Sequence, residues 1–361
     1  MVTRNRLHCP RKLLSPALVA AAAIGSASAG QAQNTAAPAT LPGQETPQSQ
    51  IALRKDLVVV PVTVKDAAGH IVLDIRQDEF RIFEDGVEQT IGVFSDQAFP
   101  ISAVVLIDND LPKKARQDVR ATLGAIAGGF SAEDEASVCR FDHAFHGGPG
   151  FTSDNDKLFV ELAQASLDIP AEAPSAGGPF SLGPLINGQS PSGGPVQYGR
   201  GMEIAGKSDK IADDAVYAAA QLLKDRGRAR RKIIFLISDG VNGWYNKHRF
   251  EDVLNALLSS GVSVYGVGVG SAAKNRGADV LSRYARAMGG DVYYAAQSEE
   301  LTNLYAQVTE EARNQYTLAY SPQGTDRTKD YHSIEIRVKR PDLTILARRG
   351  YYSAAPLPQP R

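Results

Sequence analysis

Three continuous apolar runs constrain the fold of this chain more than any other feature: ISAVVLID (101–108), KIIFLISD (232–239) and VSVYGVGV (262–269). Each has the length of a strand and none alternates apolar with polar residues, so both faces must be covered by other elements. The first two end in Asp, and the third runs into glycine. Helical spacing fills the gaps between them. Ala115, Val119, Leu123 and Ile126 form one apolar stripe. Ile211, Ala215, Ala218, Ala219 and Leu222 form a second, and Phe250, Val253, Leu254 and Leu257 a third. Strands and helices in alternation predict an α/β fold, a doubly wound and mostly parallel Rossmann-like sheet. ASVCRFDHAFHGGPG (136–150) is expected to add a hairpin at one edge.

The flanks have a different character. LVVVPVTVKD, HIVLD, EFRIFEDG and QTIGVFS, between residues 57 and 96, are short β-branched segments separated by turn residues, Asp85-Gly86 being the clearest turn. QYTLAYSP, HSIEIRVKRP and LTILARRGYYS repeat that pattern near the C-terminus. Either flank alone, at about forty residues, buries too little to fold. Pairing them predicts a small split β-sandwich, with halves at 53–98 and 313–354, into which the α/β domain (99–312) is inserted. Residues 168–208 are rich in Gly, Pro and Ser with almost no periodicity, and are expected to form a mobile insert in that domain. Residues 30–52 are expected to be a disordered tether, and 355–361 a tail.

Arg4, Arg6, Arg11 and Lys12 precede LLSPALVAAAAI (13–24), an apolar run too short to span a bilayer, and Ala27-Ser28-Ala29 follows as a small-x-small cleavage pattern. Residues 1–29 are therefore expected to be a signal peptide, with Ala32 as a second cleavage position. This predicts a secreted or periplasmic protein with no transmembrane segment in the mature chain. Cleavage removes four basic and no acidic side chains, which takes the formal net charge from −1 to −5. Neither value supplies the basic field of a nucleic-acid binder. The basic run KDRGRARRK (224–232) is expected to be a solvated helix end, where cations complement the dipole. Cys9 lies in the leader, so Cys139 is the one cysteine left and no intrachain disulfide forms. It is expected to be a buried small hydrophobe, because no local motif supplies a base to activate it.

A strand ending in Asp108, a helix, and a later strand ending in Ser238-Asp239-Gly240 resemble a von Willebrand factor A (VWA) domain. DEFRIFEDGVEQTIGVFS and YHSIEIRVKRPDLTILARRGYYSA look like the two ends of a bacterial "VWFA-related" family of secreted proteins, and the similarity spans about residues 55–354. The resemblance implies one divalent metal at the carboxyl end of the sheet, held by D-x-S-x-S in a first loop, a Thr in a second and an Asp in a third. Here the first loop reads Asp108-Asn109-Asp110-Leu111-Pro112, so Asp110 and Pro112 stand in the two Ser slots. Lys210 takes the Thr slot, and Asp239 matches the third loop. The metal ligands so implied are Asp108, Asp110 and Asp239, in a degenerate metal-ion-dependent adhesion site. Every hydroxyl is lost and one carboxylate is gained. Three carboxylates around one point suit Mg²⁺, Mn²⁺ or Ca²⁺. They also repel one another, and Lys210 could instead enter the cleft as an internal counter-charge. The metal-free arrangement is the one expected.

Other motifs are weaker. His143 and His146 stand three apart and, on a strand, would face opposite sides. GVGVGS (266–271) lacks the spacing of a dinucleotide loop and is expected to be a strand end. With no nucleophile–base pair, the expected function is a non-enzymatic protein-interaction module for adhesion or scaffolding. Its partner, unidentified, would dock on the face carrying Asp108 and Asp239, with Asn109 and the single Trp, Trp244, on the rim. A secreted metal-dependent hydrolase using the aspartates to activate water is the alternative. A third reading makes the β-sandwich the binding unit.

Overall fold

The computed structural model describes residues 57–167, 209–274, 276–277, 279–295, 297–324 and 329–353. The expected leader (1–29), tether (30–52), insert (168–208) and tail (355–361) lie outside the described residues. In chain order the first elements are β1 (Val58–Lys65), β2 (Phe80–Glu84), β3 (Val87–Gln89), β4 (Val93–Ser95) and β5 (Ile101–Asp108). There follow α1 (Lys113–Ala121), α2 (Leu123–Gly128), β6 (Glu135–Phe141), β7 (Phe145–His146), α3 (Asn155–Leu167), α4 (Ala212–Lys224), β8 (Arg231–Ser238) and α5 (Phe250–Ser260). The chain continues through β9 (Val262–Gly268), α6 (Val280–Met288), β10 (Val292–Tyr294), α7 (Ser298–Arg313), β11 (Tyr316–Tyr320), β12 (Tyr331–Val338), β13 (Thr344–Ala347) and β14 (Gly350–Tyr352).

The three apolar runs become the adjacent strands of one sheet, ordered β10-β9-β8-β5-β6-β7. All neighbours run parallel except β6 and β7, which form the hairpin at the edge. The pleat sends alternate side chains to opposite faces. Ile101, Ala103, Val105 and Ile107 of β5 join one core with Ile233, Phe235 and Ile237 of β8, under α1, α2, α3 and α7. Val104 and Leu106 join the other with Ile234 and Leu236, under α4, α5 and α6. Continuous apolarity in the sequence is thus two interleaved cores.

Three details differ from the sequence reading. Ala115, Val119, Leu123 and Ile126 are all buried, but the helix breaks at Thr122. The Thr122 hydroxyl donates to the carbonyls of Asp118 and Val119, both at 3.0 Å, and so competes with the backbone ladder. On α4 the buried stripe is Ala212, Ala215, Val216, Ala219, Ala220 and Leu223, whereas Leu222 is 41% exposed. An alanine-rich helix carries overlapping apolar stripes. Packing against β5, β8 and α5 selects the one whose small side chains allow close approach. Nor is the 224–232 run a uniformly solvated helix end. Arg226 is paired with Glu135 through two bonds of 2.8 and 2.5 Å, and Arg231 opens β8 at 5% exposure. Its strand position makes it interior, paired in register with Ile101.

The flanks form two four-stranded sheets, β13-β1-β11-β4 and β14-β12-β2-β3. Each joins an N-terminal strand to a C-terminal one, Val60 opposite Leu318 and Ile82 opposite Ile336. Val60, Val62, Phe80, Ile82, Tyr316 and Leu318 are among the residues of the shared core. Asp85 and Gly86 turn the β2–β3 hairpin with φ of 49° and 82°, the left-handed pair that a two-residue turn requires. The chain leaves this sandwich after β4 and re-enters at β11, and those strands are neighbours, Ser95 opposite Thr317. An insertion whose two ends lie side by side leaves the host sheet unbroken.

Asp134, 1% exposed, ties the start of β5 to the end of α7. Its carboxylate accepts from the Ile101 N–H at 2.7 Å, the Ser131 N–H and hydroxyl at 2.8 Å, and Arg313 Nη2 at 2.5 Å. Burial by itself would raise this carboxyl, but the donors outweigh it and hold it below the ordinary range. A depressed pKa adds stability above the unfolded value of about 4, and that stability is lost as pH falls through the folded value. Asp134→Asn is expected to cost about 2–3 kcal/mol in urea unfolding at pH 7. The gap from wild type should begin to close below about pH 4, where the unfolded chain takes up the proton, and go on closing as pH falls through the depressed folded value.

Candidate functional site

β5 and β8 are parallel neighbours, so their carboxyl ends lie side by side and bring Asp108 and Asp239 together. Lys210 arrives from the segment just before α4. Its backbone is held there by the Gly243 N–H donating to its carbonyl at 2.7 Å and by the Ile211 N–H donating to the Asp142 carbonyl at 2.9 Å. The Lys210 ammonium stands between the two carboxylates, Nζ 3.0 Å from Asp108 Oδ2 and 2.9 Å from Asp239 Oδ1. All three residues are buried.

Further donors reach the same carboxylates. The Ser238 hydroxyl donates to Asp108 Oδ2 at 2.8 Å, and the Asp110 N–H to Asp108 Oδ1 at 2.9 Å. The Val241 N–H donates to Asp239 Oδ1 at 3.1 Å. Burial pushes the Asp108 carboxyl up to about 6; Lys210 opposes the rise and Asp239 adds to it. Burial would lower the Lys210 ammonium, but the two carboxylates outweigh that and raise it. At neutral pH both groups are therefore charged.

These residues do not fit a divalent cation. An ammonium occupies the point where the two aspartates converge, and Pro112 offers no side-chain oxygen. Among the described residues no group of three or more His, Cys, Asp or Glu is arranged to hold a metal ion. Asp110 is exposed, and its side chain lies outside the bridge, to which it contributes its N–H. Asn109, expected on the rim, is buried at 5% exposure, because its N–H donates to the Phe141 carbonyl at 2.8 Å and draws the residue in toward β6.

Trp244 is 57% exposed and tilts against Tyr245, itself 63% exposed, with ring centroids 4.5 Å apart. The loop that carries them is built from polar residues the sequence reading assigned no role. Asp214, at the start of α4, accepts from the N–H groups of Lys247 and His248 and pairs with the His248 ring at 2.7 Å. Asn246 donates to Asn242 and to the Gly243 carbonyl. The Tyr217 and His248 rings stack at 3.7 Å. Clustered Asn and Gly just after Asp239-Gly240 were the signal for such a loop. Gly240 itself has φ of 77°, and a Cβ there would sit 2.5 Å from the Cβ of Asp279.

His143 and His146 do not diverge. His143 lies in the turn between β6 and β7 rather than on a strand, so both rings reach Asp142 Oδ1, at 3.0 and 3.4 Å. Cys139 is buried on β6, and burial pushes its thiol up, away from nucleophilic use.

Residues 197–307 match the von Willebrand factor type A domain. The chain contains a VWA domain. The matched residues carry α4, β8, α5, β9, α6 and β10 together with Lys210 and Asp239, whereas β5 and Asp108 precede them. Similar solved structures include BatB from Bacteroides thetaiotaomicron, at 12% identity and TM-score 0.37 over 59% of this chain and 98% of that one. An aerotolerance-related membrane protein from Bacteroides fragilis matches at 13% identity and TM-score 0.35, over 58% and 99%. A von Willebrand factor type A protein from Catenulispora acidiphila matches at 9% identity and TM-score 0.42, over 81% and 72%. No curated protein matches the sequence at a significant level.

Removing one partner of a buried ion cluster leaves a charge uncompensated. Lys210→Ala is expected to cost about 3 kcal/mol in urea unfolding at pH 7. Adding Asp108→Asn should recover part of that loss, because one of the stranded charges is then gone. Gly240→Ala is expected to lower the melting temperature of the VWA domain as well, through backbone strain and contact with Asp279.

Proposed function

We propose that this protein is a secreted or periplasmic, non-enzymatic binding module whose VWA domain uses a lysine in place of a metal ion. The observation that carries the reading is the Lys210 ammonium within hydrogen-bond distance of both Asp108 and Asp239. A tethered cation bridges the two carboxylates and offsets part of their charge without being able to leave. It offers no open coordination position for a partner's carboxylate and no water to activate. Recognition then falls to the rim, where Trp244 and Tyr245 supply exposed aromatic area on the loop whose Gly243 N–H donates to the Lys210 carbonyl. Aromatic anchors of this kind dominate protein–protein contacts. The basic leader, apolar run and Ala27-Ser28-Ala29 support export. Among the described residues no helix is long and apolar enough to cross a membrane.

Three measurements test this. The melting temperature of wild-type protein is expected to be unchanged by millimolar Mg²⁺, Mn²⁺ or Ca²⁺. That of Lys210→Thr should rise by about 3 °C or more when the ion is in large excess over its Kd. A wild-type melting temperature that already rises with these ions at site-like affinity would overturn the lysine-for-metal reading. In pull-downs from envelope extract, Trp244→Ala should lose partners that wild type retains. Equal recovery by both forms would remove the aromatic rim from the binding face. Divalent-dependent turnover of phosphate-ester or peptide substrates, lost in Asp108→Ala, would make the protein an enzyme.

A further inference from the structure

A cavity of about 1070 Å³ opens at the amino ends of β8 and β9, the opposite end of the sheet from the aspartate–lysine bridge. One wall comes from the VWA domain and the other from the β-sandwich, through β1, β11 and the region of β13 and β14. Seven of its lining side chains are Lys or Arg, and Asp225 is the single acidic one. Valines of β1, Phe99 and Met288 add apolar surface.

Two of the arginines differ from Arg226, Arg230 and Arg313. Arg226 and Arg230 share Glu135, and Arg313 has Asp134. Arg231, 5% exposed, donates to the Gln315 carbonyl and side chain and to the Thr317 hydroxyl, all uncharged acceptors. Its Nε is buried without a hydrogen-bond partner, and so is the Nε of Arg348. Neither guanidinium has a carboxylate at ion-pair distance among the described residues. Burial lowers both, Arg231 to about 10, which still leaves it cationic at neutral pH. A buried cation with a spare donor and no counter-charge is costly to keep unless an anion completes it. A guanidinium is also the side chain best suited to grip phosphate or carboxylate oxygens.

We propose that this cavity binds a small organic anion carrying at least two negative charges, with Arg231 and Arg348 gripping the anionic groups and the apolar wall accepting the rest. Phosphate monoesters and polycarboxylic acids share this chemistry, and the volume suits a ligand of nucleotide size. The site is independent of the Lys210 bridge, so the two readings stand or fall separately.

Isothermal titration of the whole protein with pyrophosphate, ADP and citrate tests the proposal. Saturable one-to-one binding of pyrophosphate or ADP would point to a phosphorylated ligand, and of citrate to a polycarboxylate. In either case the affinity is expected to fall as salt rises. Arg348→Gln should weaken binding at least fivefold, whereas Asp225→Asn should not weaken it. If Arg348→Gln shifts the melting curve, Arg228→Glu, at an exposed position on the same lining, carries the same fivefold expectation. No saturable binding of any of the three probes, or binding changed less than fivefold by the variant that retains the wild-type melting curve, would overturn the proposal.

Discussion

Strands β5 and β8 have no solvent-facing side, and the rest of the molecule follows from that. Every side chain from Ile101 to Asp108 is buried, and so is nearly all of Arg231 to Ser238. Such strands need a helical layer on each face, which requires crossover connections and therefore parallel pairing. Parallel strands start at one edge and end at the other. Polar residues excluded from both faces can stand only at those two ends. Asp108 and Asp239 stand at one, and Arg231 at the other.

The two ends solve the problem of buried charge differently. At the carboxyl end, one ammonium bridges two carboxyl groups, with Ser238 and two backbone N–H groups taking further lone pairs. Such a cluster contributes little net stability relative to an apolar replacement, but breaking it is expensive. At the amino end, Arg231 has hydrogen bonds but no counter-charge among the described residues. That difference makes the first a closed structural unit and the second an open one.

The join between the domains is polar as well. Gln315 receives Arg231 and donates to Thr63 at 3.0 Å and Tyr265 at 2.9 Å, so one amide links β1, β8, β9 and β11. Lys65 of β1 reaches Asp291 at 2.5 Å and Glu311 at 2.7 Å, across the same boundary. Directional contacts of this kind set the orientation of the inserted domain, which apolar packing alone would leave less defined.

Hydrophobic patterning by itself determined the fold class. Uninterrupted runs can only be two-sided strands, and β-branched segments at both ends of the chain can bury their faces only against each other. Residue types in three loops also marked where the candidate site lies, since Asp108, Lys210 and Asp239 occupy positions that the resemblance to VWA domains picks out. The bridging distances around Lys210, the burial of Asn109 and the convergence of His143 and His146 on Asp142 were not legible, because each depends on loop backbone with no periodicity to read. The stripe of α4 was misread by a position because alanine looks alike on every face until a sheet presses on one of them. Nothing local distinguished Arg231 from the basic residues before it. Its burial comes from opening a strand whose partner, β5, lies more than a hundred residues away. Burial of a charge is a property of the assembled surroundings, and only the tertiary structure supplies those.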